Sequence, residues 1–357
     1  MNKFLHWFLG VPNKYSKGPK KSISVLIPAY NESATIASTI KSIQHQTKVP
    51  EEIVVVDDCS KDNTGEIARN LGAKVIRLEK NSGTKAQAQN AGLYSIATDI
   101  VITIDADTIL DKYAIENVIK PLSDSNIASV CGLVIPQRIQ TIFEKSRFIE
   151  YLYGITLNKK AQQNTGAILV SSGCFSAFRT KELQSNGGFK NRTCAEDMDY
   201  TWARLIEGKR IVCQQNAVCY PLDPPNWRIY QNQVDRWYSA FFENISIYRK
   251  EIFHNLKLAG FVSWYLIEGL LAPLGWIGLV VMALQGTHIA TVFLLVNLLL
   301  IVAVSVYAGI KVHKGWLTLT SIPCYLIMSF VNIYLFYKSF IKEWILNKKV
   351  VVWEKGH

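Results

Sequence analysis

The chain has 357 residues, of which 49% are hydrophobic, and its formal net charge is +11. The positive charge is concentrated near the ends: residues 1–22 contain five Lys and no acid, and residues 338–355 contain five Lys and two Glu. Basic ends favour an anionic membrane surface, and the region between them has no basic run or recognition motif of a nucleic-acid-binding protein. The seven Cys show neither a disulfide framework nor zinc-ligand spacing, so we expect reduced thiols.

Up to about residue 225 the sequence predicts alternating strands and helices. The strands are short runs rich in β-branched residues, and the first helix repeats Ile36, Ile40 and Ile43 on one face. In chain order we predict a strand at 23–29, a helix that ends before Pro50, a strand at 52–58, a short helix near 62–71, a strand at 74–78, a helix at about 85–97 and a strand at 100–104. This alternation predicts an α/β domain with a parallel, doubly wound sheet.

Two of these strands end in a pair of carboxylates. Asp105-Ala106-Asp107 follows the strand at 100–104, and Asp57-Asp58 ends the strand at 52–58. Ligands of open α/β sheets bind outside the carboxyl ends of the strands, so we expect both pairs to face one crevice. Two unpaired acids after a buried strand would be costly without a cation, and carboxylates suit Mg²⁺ or Mn²⁺. For Asp57 alone, a turn-capping role is favoured.

The pattern is less regular after Asp107. We predict a strand at 128–135, an amphipathic stretch at 141–157 and a run of small residues around Gly173, where the backbone would pass close to a ligand. Ala195-Glu196-Asp197-Met198-Asp199 then begins a helix that runs through Leu205. Acids at a helix start are favourable partners of the helix dipole, and this structural interpretation stays open beside a functional one.

Residues 227–248 predict an amphipathic helix rich in aromatic residues. Its apolar residues recur at steps of three and four and form one stripe: Tyr230, Val234, Trp237, Phe241, Ile245 and Tyr248. Because the helix directly precedes the apolar part of the chain, we expect the stripe to lie along the bilayer surface. The polar side of the helix carries Gln233, Asp235 and Arg236.

Three hydrophobic segments follow, at 258–284, 288–310 and 315–337. The last two have no formal charge and are long enough to cross a hydrocarbon core of about 30 Å. The first contains Glu268, which is costly in an apolar run unless it faces a channel, a partner or the interface. Three full spans would place the basic tail opposite the α/β domain, whereas Lys-rich flanks favour the cytoplasm. We therefore expect one partial or re-entrant segment, and Pro323 makes the third the candidate.

Four elements of the sequence resemble a known family in their order and spacing. They are Asp58, Asp105-Ala106-Asp107, Glu196-Asp197 and Gln233-Val234-Asp235-Arg236-Trp237, and membrane helices follow them. Together they resemble the family 2 inverting glycosyltransferases with a GT-A fold, within the membrane branch that includes cellulose, chitin, hyaluronan and poly-N-acetylglucosamine synthases. The resemblance covers about residues 22–250. It implies a Rossmann-like, doubly wound mixed sheet.

The residue patterns and the resemblance together predict five regions. They are, in chain order, a basic N-terminal interfacial segment at 1–21, a GT-A domain at 22–225, amphipathic interface helices at 226–256, two or three transmembrane helices at 257–340 and a basic tail at 341–357. Trp353-Glu354-Lys355 in the tail is similar to part of a segment that closes over the nucleotide in related synthases.

The resemblance implies a donor site for a UDP-sugar. Asp105 and Asp107 would hold the Mg²⁺ or Mn²⁺ that bridges the diphosphate, with Asp107 as the direct ligand. Lys85 would place a point charge near the diphosphate, and Thr84 separates it from Gly83 where the family has Gly-Lys. The implied donor-binding residues are Ala29, Tyr30, Glu32, Asp58, Lys85, Asn90, Asp105, Gln233 and Arg236.

The resemblance also implies the acceptor side and the catalytic base. Asp197 would take the proton of the attacking hydroxyl, with Glu196 orienting the acceptor or Asp197 itself. Trp237 would stack on the acceptor sugar, since a flat aromatic face suits a pyranose ring. Gly173 and Cys174 would belong to the acceptor-side loop.

The predicted activity is the inverting transfer of a hexose or N-acetylhexosamine from a UDP-sugar to a growing polysaccharide. The alternative is the transfer of one sugar to a lipid such as a polyprenyl phosphate, diacylglycerol or a ceramide-like acceptor. We expect a multi-pass protein of the cell membrane whose catalytic domain faces the cytoplasm. Since two or three spans are few for a chain that polymerises and exports, polymer secretion would need a homo-oligomer or an export partner.

Overall fold

The described part of the chain, residues 21–347 of the computed structural model, begins with an α/β domain and ends with long apolar helices. The expected interfacial segment at 1–21 lies outside the described residues, apart from Lys21. Most of the expected basic tail, including Trp353-Glu354-Lys355, also lies outside them.

The strands of residues 21–347 are β1 Ile23–Ala29, β2 Glu52–Asp57, β3 Lys74–Arg77, β4 Ile100–Ile104, β5 Ile109–Leu110, β6 Ile127–Val134, β7 Phe175–Arg179 and β8 Arg210–Tyr220. They form one sheet in the order β3-β2-β1-β4-β7-β6-β8-β5. The first four strands are parallel, as the sequence predicts. β7 runs antiparallel to β4 and β6, so the sheet is mixed, as the resemblance implies.

The α-helices of the same residues are α1 Ile36–Gln44, α2 Thr64–Asn70, α3 Lys85–Leu93, α4 Ala114–Ile119, α5 Ile142–Tyr153, α6 Lys160–Thr165, α7 Thr180–Ser185, α8 Glu196–Ile206, α9 Trp227–Ile247, α10 Arg249–His254, α11 Leu256–Leu266, α12 Ala272–Leu284, α13 His288–Lys311 and α14 Gly315–Phe340. A 3₁₀ turn at Lys120–Ser123 and π-helical turns at Gly154–Lys159, Ile267–Leu271 and Ile341–Ile345 connect or extend them.

The central strands are covered on both faces. Every residue of β1 and β4 is buried, which explains their continuous apolar sequences. Ile36, Ile40 and Ile43 of α1 belong to the core on one face of the sheet, and α3 belongs to the core on the other. Because β1, β2 and β4 are parallel and in register, their carboxyl ends lie at one edge of the sheet.

Three helical segments are long and apolar enough to cross a membrane: Leu256–Leu284, His288–Lys311 and Gly315–Ile345. The first contains the π-helical turn Ile267–Leu271, which carries Glu268. The third does not break at Pro323, because α14 continues through it for 26 residues. Pro323 thus does not interrupt the third helix, and the expectation of one partial or re-entrant segment stays a prediction.

The apolar stripe of α9 faces other parts of the protein. Tyr230 and Val234 are almost fully buried against Met328 and Leu335 of α14. The ring centroids of Phe241, another residue of the stripe, and Phe336 of α14 lie 6.5 Å apart. The expectation that this stripe lies along the bilayer is therefore wrong, since α14 folds back over the helix and covers it.

Candidate active site

A cavity of about 470 Å³ lies at the carboxyl edge of the sheet, between β4, α8 and α9. Most of the residues predicted for the site line it. They are Glu32, Lys85, Asp105, Asp107, Gly173, Cys174, Glu196, Asp197, Gln233, Arg236 and Trp237. Residues from six separate parts of the sequence thus converge on one space.

Lys85 connects three walls of this cavity. Its Nζ forms an ion pair with Asp105, lies 3.6 Å from Oε1 of Glu196 and donates a hydrogen bond of 3.2 Å to the carbonyl oxygen of Gly173. Lys85 begins α3, Asp105 follows β4 and Glu196 begins α8. The ammonium group therefore ties the strand end, the helix start and the small-residue loop together.

The pKa values of this cluster reflect burial and charge. Burial alone would lower the pKa of Lys85, but the charges of Asp105 and Glu196 outweigh it and raise the pKa, so Lys85 stays protonated. Burial raises the pKa of Asp105, and the charge of Asp107 adds to that effect while Lys85 opposes it. Burial and the charge of Asp197 similarly raise the pKa of Glu196. Asp105, Asp107, Glu196 and Asp197 thus share the cavity with the cations Lys85, Lys159 and Arg236.

Asp197 is fixed at the start of α8 by backbone donors. Its Oδ2 accepts a hydrogen bond of 2.7 Å from the amide of Gly173, and its Oδ1 accepts one of 2.8 Å from the amide of Met198. A Cβ atom at Gly173 would lie 2.9 Å from Oδ2 of Asp197 and 3.2 Å from Nζ of Lys85. Glycine is needed here because the loop approaches both charged groups closely.

One face of α9 forms the opposite wall. Gln233, Arg236 and Trp237 are three and four residues apart, so they lie on the same side of the helix, and all three line the cavity. Asp235 points elsewhere and pairs with Lys338 of α14 at 2.5 Å. These three residues offer a guanidinium, an amide and an indole ring to the cavity, and Asn232 of the same helix adds a second amide.

Comparison with known proteins agrees with this architecture. The model of the family described as "Glycosyl transferase family 2" matches residues 24–185. This segment is a family 2 glycosyltransferase domain. It contains the Asp105-Ala106-Asp107 segment and Lys85, whereas α8 and α9 lie beyond the matched range.

Curated relatives of the transferase domain extend the match. The poly-beta-1,6-N-acetyl-D-glucosamine synthase of Staphylococcus aureus (strain COL) is 29% identical over 272 residues, and that of Staphylococcus epidermidis is 28% identical over 269 residues. These alignments cover 74% and 73% of this chain, and the chain spans 64% of the length of either relative.

A solved mannosyltransferase from Pyrobaculum calidifontis, in complex with GDP-Man and Mn²⁺, has the same fold. The two chains superpose with a TM-score of 0.63 at 20% identity, over 90% of this chain and 94% of the other. The likeness includes the GT-A sheet and the helices that follow it.

Four predicted residues of the transferase domain lie outside the cavity lining: Ala29, Tyr30, Asp58 and Asn90. Asp58 accepts hydrogen bonds from the amide and hydroxyl groups of Ser82, at 2.7 and 2.8 Å. The side chain of Asn90 bonds to the backbone N–H and C=O of Phe189. Asn90 therefore joins two segments of the fold, and its approach to the diphosphate stays a prediction.

Several cavity residues are absent from the sequence prediction. Glu150, Tyr151 and Lys159 reach the cavity from α5 and the turn that follows it, and Asp223 lies in the proline-rich connection before α9. Oδ1 of Asp223 accepts a hydrogen bond of 3.0 Å from Tyr151, and burial raises the pKa of Asp223 to about 7. Glu150 and Tyr151 lie in the amphipathic stretch predicted at 141–157, and their polar side chains were the sequence signal that could have identified them as site residues.

The carboxylates after β4 fit a divalent cation. Asp105 and Asp107 both face the cavity, and their mutual repulsion contributes to the raised pKa of Asp105. Within residues 21–347 no cluster of three or more His, Cys, Asp or Glu forms a complete metal site. Mg²⁺ is commonly held by one or two carboxylates together with substrate phosphates, so a partial set of protein ligands is compatible with it.

Proposed function

We propose that this chain is a membrane-bound inverting glycosyltransferase that transfers a hexose or N-acetylhexosamine from a UDP-sugar to a growing polysaccharide. The observation that carries the proposal is the convergence of Asp105, Asp107, Asp197 and Arg236 on one cavity within a family 2 transferase fold. The names of the curated relatives, which are poly-N-acetylglucosamine synthases, support a polysaccharide product.

In the proposed reaction an acceptor hydroxyl attacks the anomeric carbon from the face opposite the diphosphate. The new C–O bond forms as the bond between the anomeric carbon and the diphosphate oxygen breaks, and UDP leaves with the electron pair. Asp197 would take the hydroxyl proton on a carboxylate oxygen, so a single base suffices. The anomeric configuration would invert because the hydroxyl attacks from the face opposite the diphosphate. The two backbone bonds to Asp197 hold its carboxylate in place.

The negative charge of the leaving UDP needs compensation. Asp107, with Asp105, would hold Mg²⁺ or Mn²⁺, which when bound acts as a Lewis acid toward the diphosphate. Arg236 lines the same cavity and supplies a guanidinium that can bind phosphate oxygens in a bidentate manner. Lys85 adds a positive charge next to Asp105. We assign Gln233 to the donor side and Glu196 to the orientation of Asp197 or the acceptor.

The acceptor would lie between the small-residue loop and α9. Gly173 and Cys174 line one side of the cavity and Trp237 the other. An indole ring offers a flat apolar face to a pyranose ring. The remaining donor contacts would involve Ala29, Tyr30, Glu32 and Asp58, which border the nucleotide in the proposed complex.

Transfer of one sugar to a lipid is the second candidate, and one observation favours it. Tyr265 of α11, in the first apolar segment, lines the same cavity as Asp197. Its neighbours Phe241 and Leu169 make that end of the cavity apolar. A lipid-linked acceptor could therefore approach Asp197 from the membrane side.

We further propose that the domain at 22–225 faces the cytoplasm and that residues 257–340 anchor it in the bilayer. Residues 226–256 would lie between the two. Export of a polymer would involve a second copy of the chain or a partner protein, because the described residues contain only three candidate spans.

Sugar transfer by the purified full chain in detergent tests the proposal. The protein is incubated with labelled UDP-GlcNAc or UDP-glucose and Mg²⁺ or Mn²⁺, and a ladder of polymers or a single organic-soluble product distinguishes the two acceptor classes. Asp197→Asn should lower turnover by about 10²- to 10⁴-fold while UDP binding persists. Unchanged turnover in this variant would exclude Asp197 as the base.

Asp199→Asn is the matched control. Asp199 lies on the same helix, bonds to Arg192 and Tyr248 and does not line the cavity. We expect this variant to lose thermal stability and to retain transfer.

A further inference from the structure

A buried arginine lies directly behind the α9 wall of the cavity. Arg147 of α5 is 3% exposed and does not line the cavity itself. Its guanidinium carbon lies 4.4 Å from the ring centroid of Trp237 and 4.7 Å from that of Tyr230. Its Nη2 donates a hydrogen bond of 3.2 Å to Oε1 of Gln233. Arg147 therefore touches Gln233 and Trp237, two of the α9 residues that line the cavity.

We propose that Arg147 is a positioning residue that fixes the ring of Trp237 and the amide of Gln233 for the bound sugar and diphosphate. The guanidinium covers the indole from the protein side, which leaves the cavity side of the ring for a pyranose. A cation over an aromatic ring is attracted to it, so the indole is held in one orientation. The inference rests on the proposed transferase function and adds a residue to it.

The hydrogen bond to Gln233 has a second consequence. Its Oε1 is occupied by Arg147, so the amide NH₂ group of Gln233 is the end available to the cavity. An NH₂ group can donate to a phosphate or hydroxyl oxygen but cannot accept from it. Arg147 thereby also sets which hydrogen-bonding group Gln233 presents to the ligand.

Glu150 keeps Arg147 in place and connects it to the third apolar segment. Nη1 of Arg147 lies 2.5 Å from Oε2 of Glu150, and Oε1 of Glu150 accepts a hydrogen bond of 2.9 Å from Asn332 of α14. Oδ1 of Asn332 accepts a hydrogen bond of 2.7 Å from Tyr230. A polar residue in an apolar helix needs such partners. The docking of α14 and the orientation of the α9 wall are therefore parts of one network.

The test compares Arg147→Met with the double variant Arg147→Met/Glu150→Gln. Met keeps apolar bulk but removes the charge and the donors, and the double variant leaves no buried carboxylate without its cation. With UDP-GlcNAc and a short N-acetylglucosamine oligosaccharide as probes, we expect the acceptor KM to rise at least 10-fold in both variants. Arg147→Lys should recover only part of the loss, because it lacks the planar donor group.

A double-mutant cycle separates positioning from general destabilisation. In a Trp237→Ala background, Arg147→Met should change the acceptor KM less than threefold, because the ring that it positions is already absent. An equal loss in both backgrounds would overturn the proposal, as would an unchanged KM in a variant that melts earlier.

Arg138→Met is the matched control. Arg138 also pairs with a glutamate of α5, Glu144, at 2.7 Å, and like Arg147 it does not line the cavity. We expect its kinetic constants to stay within twofold of those of the wild type.

Fluorine NMR of 5-fluorotryptophan-labelled protein tests the geometry without any turnover. The Trp237 resonance, assigned with Trp237→Phe, should shift or broaden in the double variant and remain unchanged in Arg138→Met. An unchanged resonance would refute the positioning role even in an inactive protein. If the wild type turns over no UDP-sugar while the resonance responds as expected, the proposed function fails and the positioning of Trp237 stands.

Discussion

The carboxyl ends of β2 and β4 carry the same sequence feature, a pair of acids after a buried strand, and the fold uses them differently. After β4, Asp105 and Asp107 line the cavity. After β2, Asp57 pairs with Arg77 at 2.6 Å, and Asp58 is bonded to Ser82. Neither acid of the β2 pair lines the cavity.

The difference is caused by the partners that the following segments supply. Arg77 ends β3, which lies next to β2 in the sheet, so its guanidinium reaches Asp57. β4 has β1 and β7 as neighbours, and Asp105 pairs with Lys85 from α3 and lies within electrostatic reach of Arg236 from α9. Neighbouring segments engage both acids of the first pair, through Arg77 and Ser82, whereas both acids of the second pair line the cavity. Substitutions at the two strand ends should therefore affect different properties.

Of the substitutions at the two strand ends, Asp107→Asn should have the largest effect on catalysis. Loss of one of the proposed metal-binding carboxylates should lower kcat/KM by about 10²- to 10³-fold and abolish the dependence of UDP binding on Mg²⁺ or Mn²⁺. Isothermal titration with UDP, with the metal and with EDTA, measures the second effect. Metal-dependent UDP binding that survives the substitution would show that Asp107 is not the ligand.

Asp57→Asn, in contrast to Asp107→Asn, should affect stability more than catalysis. The side chain of Asp57 is completely buried, and its carboxylate accepts from Arg77 and from the amide of Ser60. Breaking the pair should cost about 2 kcal/mol, less than for a fully buried pair because Arg77 is half-exposed and stays solvated. Thermal unfolding measures the loss. If Asp57→Asn keeps its melting temperature but loses sugar transfer, the acids after β2 and β4 both serve catalysis, and the proposed difference between them is wrong.

The strands and the order of the cavity residues were predictable because both are local features. Buried β-branched runs define β1, β2 and β4, and the acids follow them directly. The family resemblance supplied Asp197, Gln233 and Arg236 in their order along the chain, and the structure brings them to one cavity. The roles proposed for them remain predictions.

The partners of these residues could not be predicted, because tertiary packing joins positions far apart in the sequence. Asn90 bonds to Phe189, Tyr151 to Asp223, and Arg147 to Gln233. The burial of the α9 stripe depends on α14, about 100 residues further along the chain, as the bond between Tyr230 and Asn332 illustrates. Amphipathic periodicity identifies which side of a helix is buried and leaves open what covers it.

Gly65→Ala should lower the stability of the protein in the same way as Asp57→Asn, but by less and without changing any charge. A Cβ atom at Gly65 would lie 2.5 Å from Oδ2 of Asp57, so the carboxylate would have to move away from Arg77. We expect a loss of about 1–2 kcal/mol in the free energy of unfolding, with kcat unchanged. Gly260→Ala on α11 is a suitable control, because a Cβ there meets no atom within 4 Å. Equal stability of the two variants would contradict the prediction.

The smallest expected effect concerns Asp62, an acid in the loop after β2. Burial alone would raise its pKa, but hydrogen bonds from Thr64 and from the amide of Ser33 outweigh burial and lower the pKa to about 2. A lowered folded-state pKa stabilises the protein above the unfolded pKa of about 4, and this stabilisation is lost as the pH falls through about 2. Asp62→Asn should therefore cost about 1 kcal/mol or less at pH 7, since solvent screens this site, and less still at pH 3. Melting temperatures of both proteins at the two pH values test this, and a difference independent of pH would show that the charge of Asp62 does not stabilise the loop.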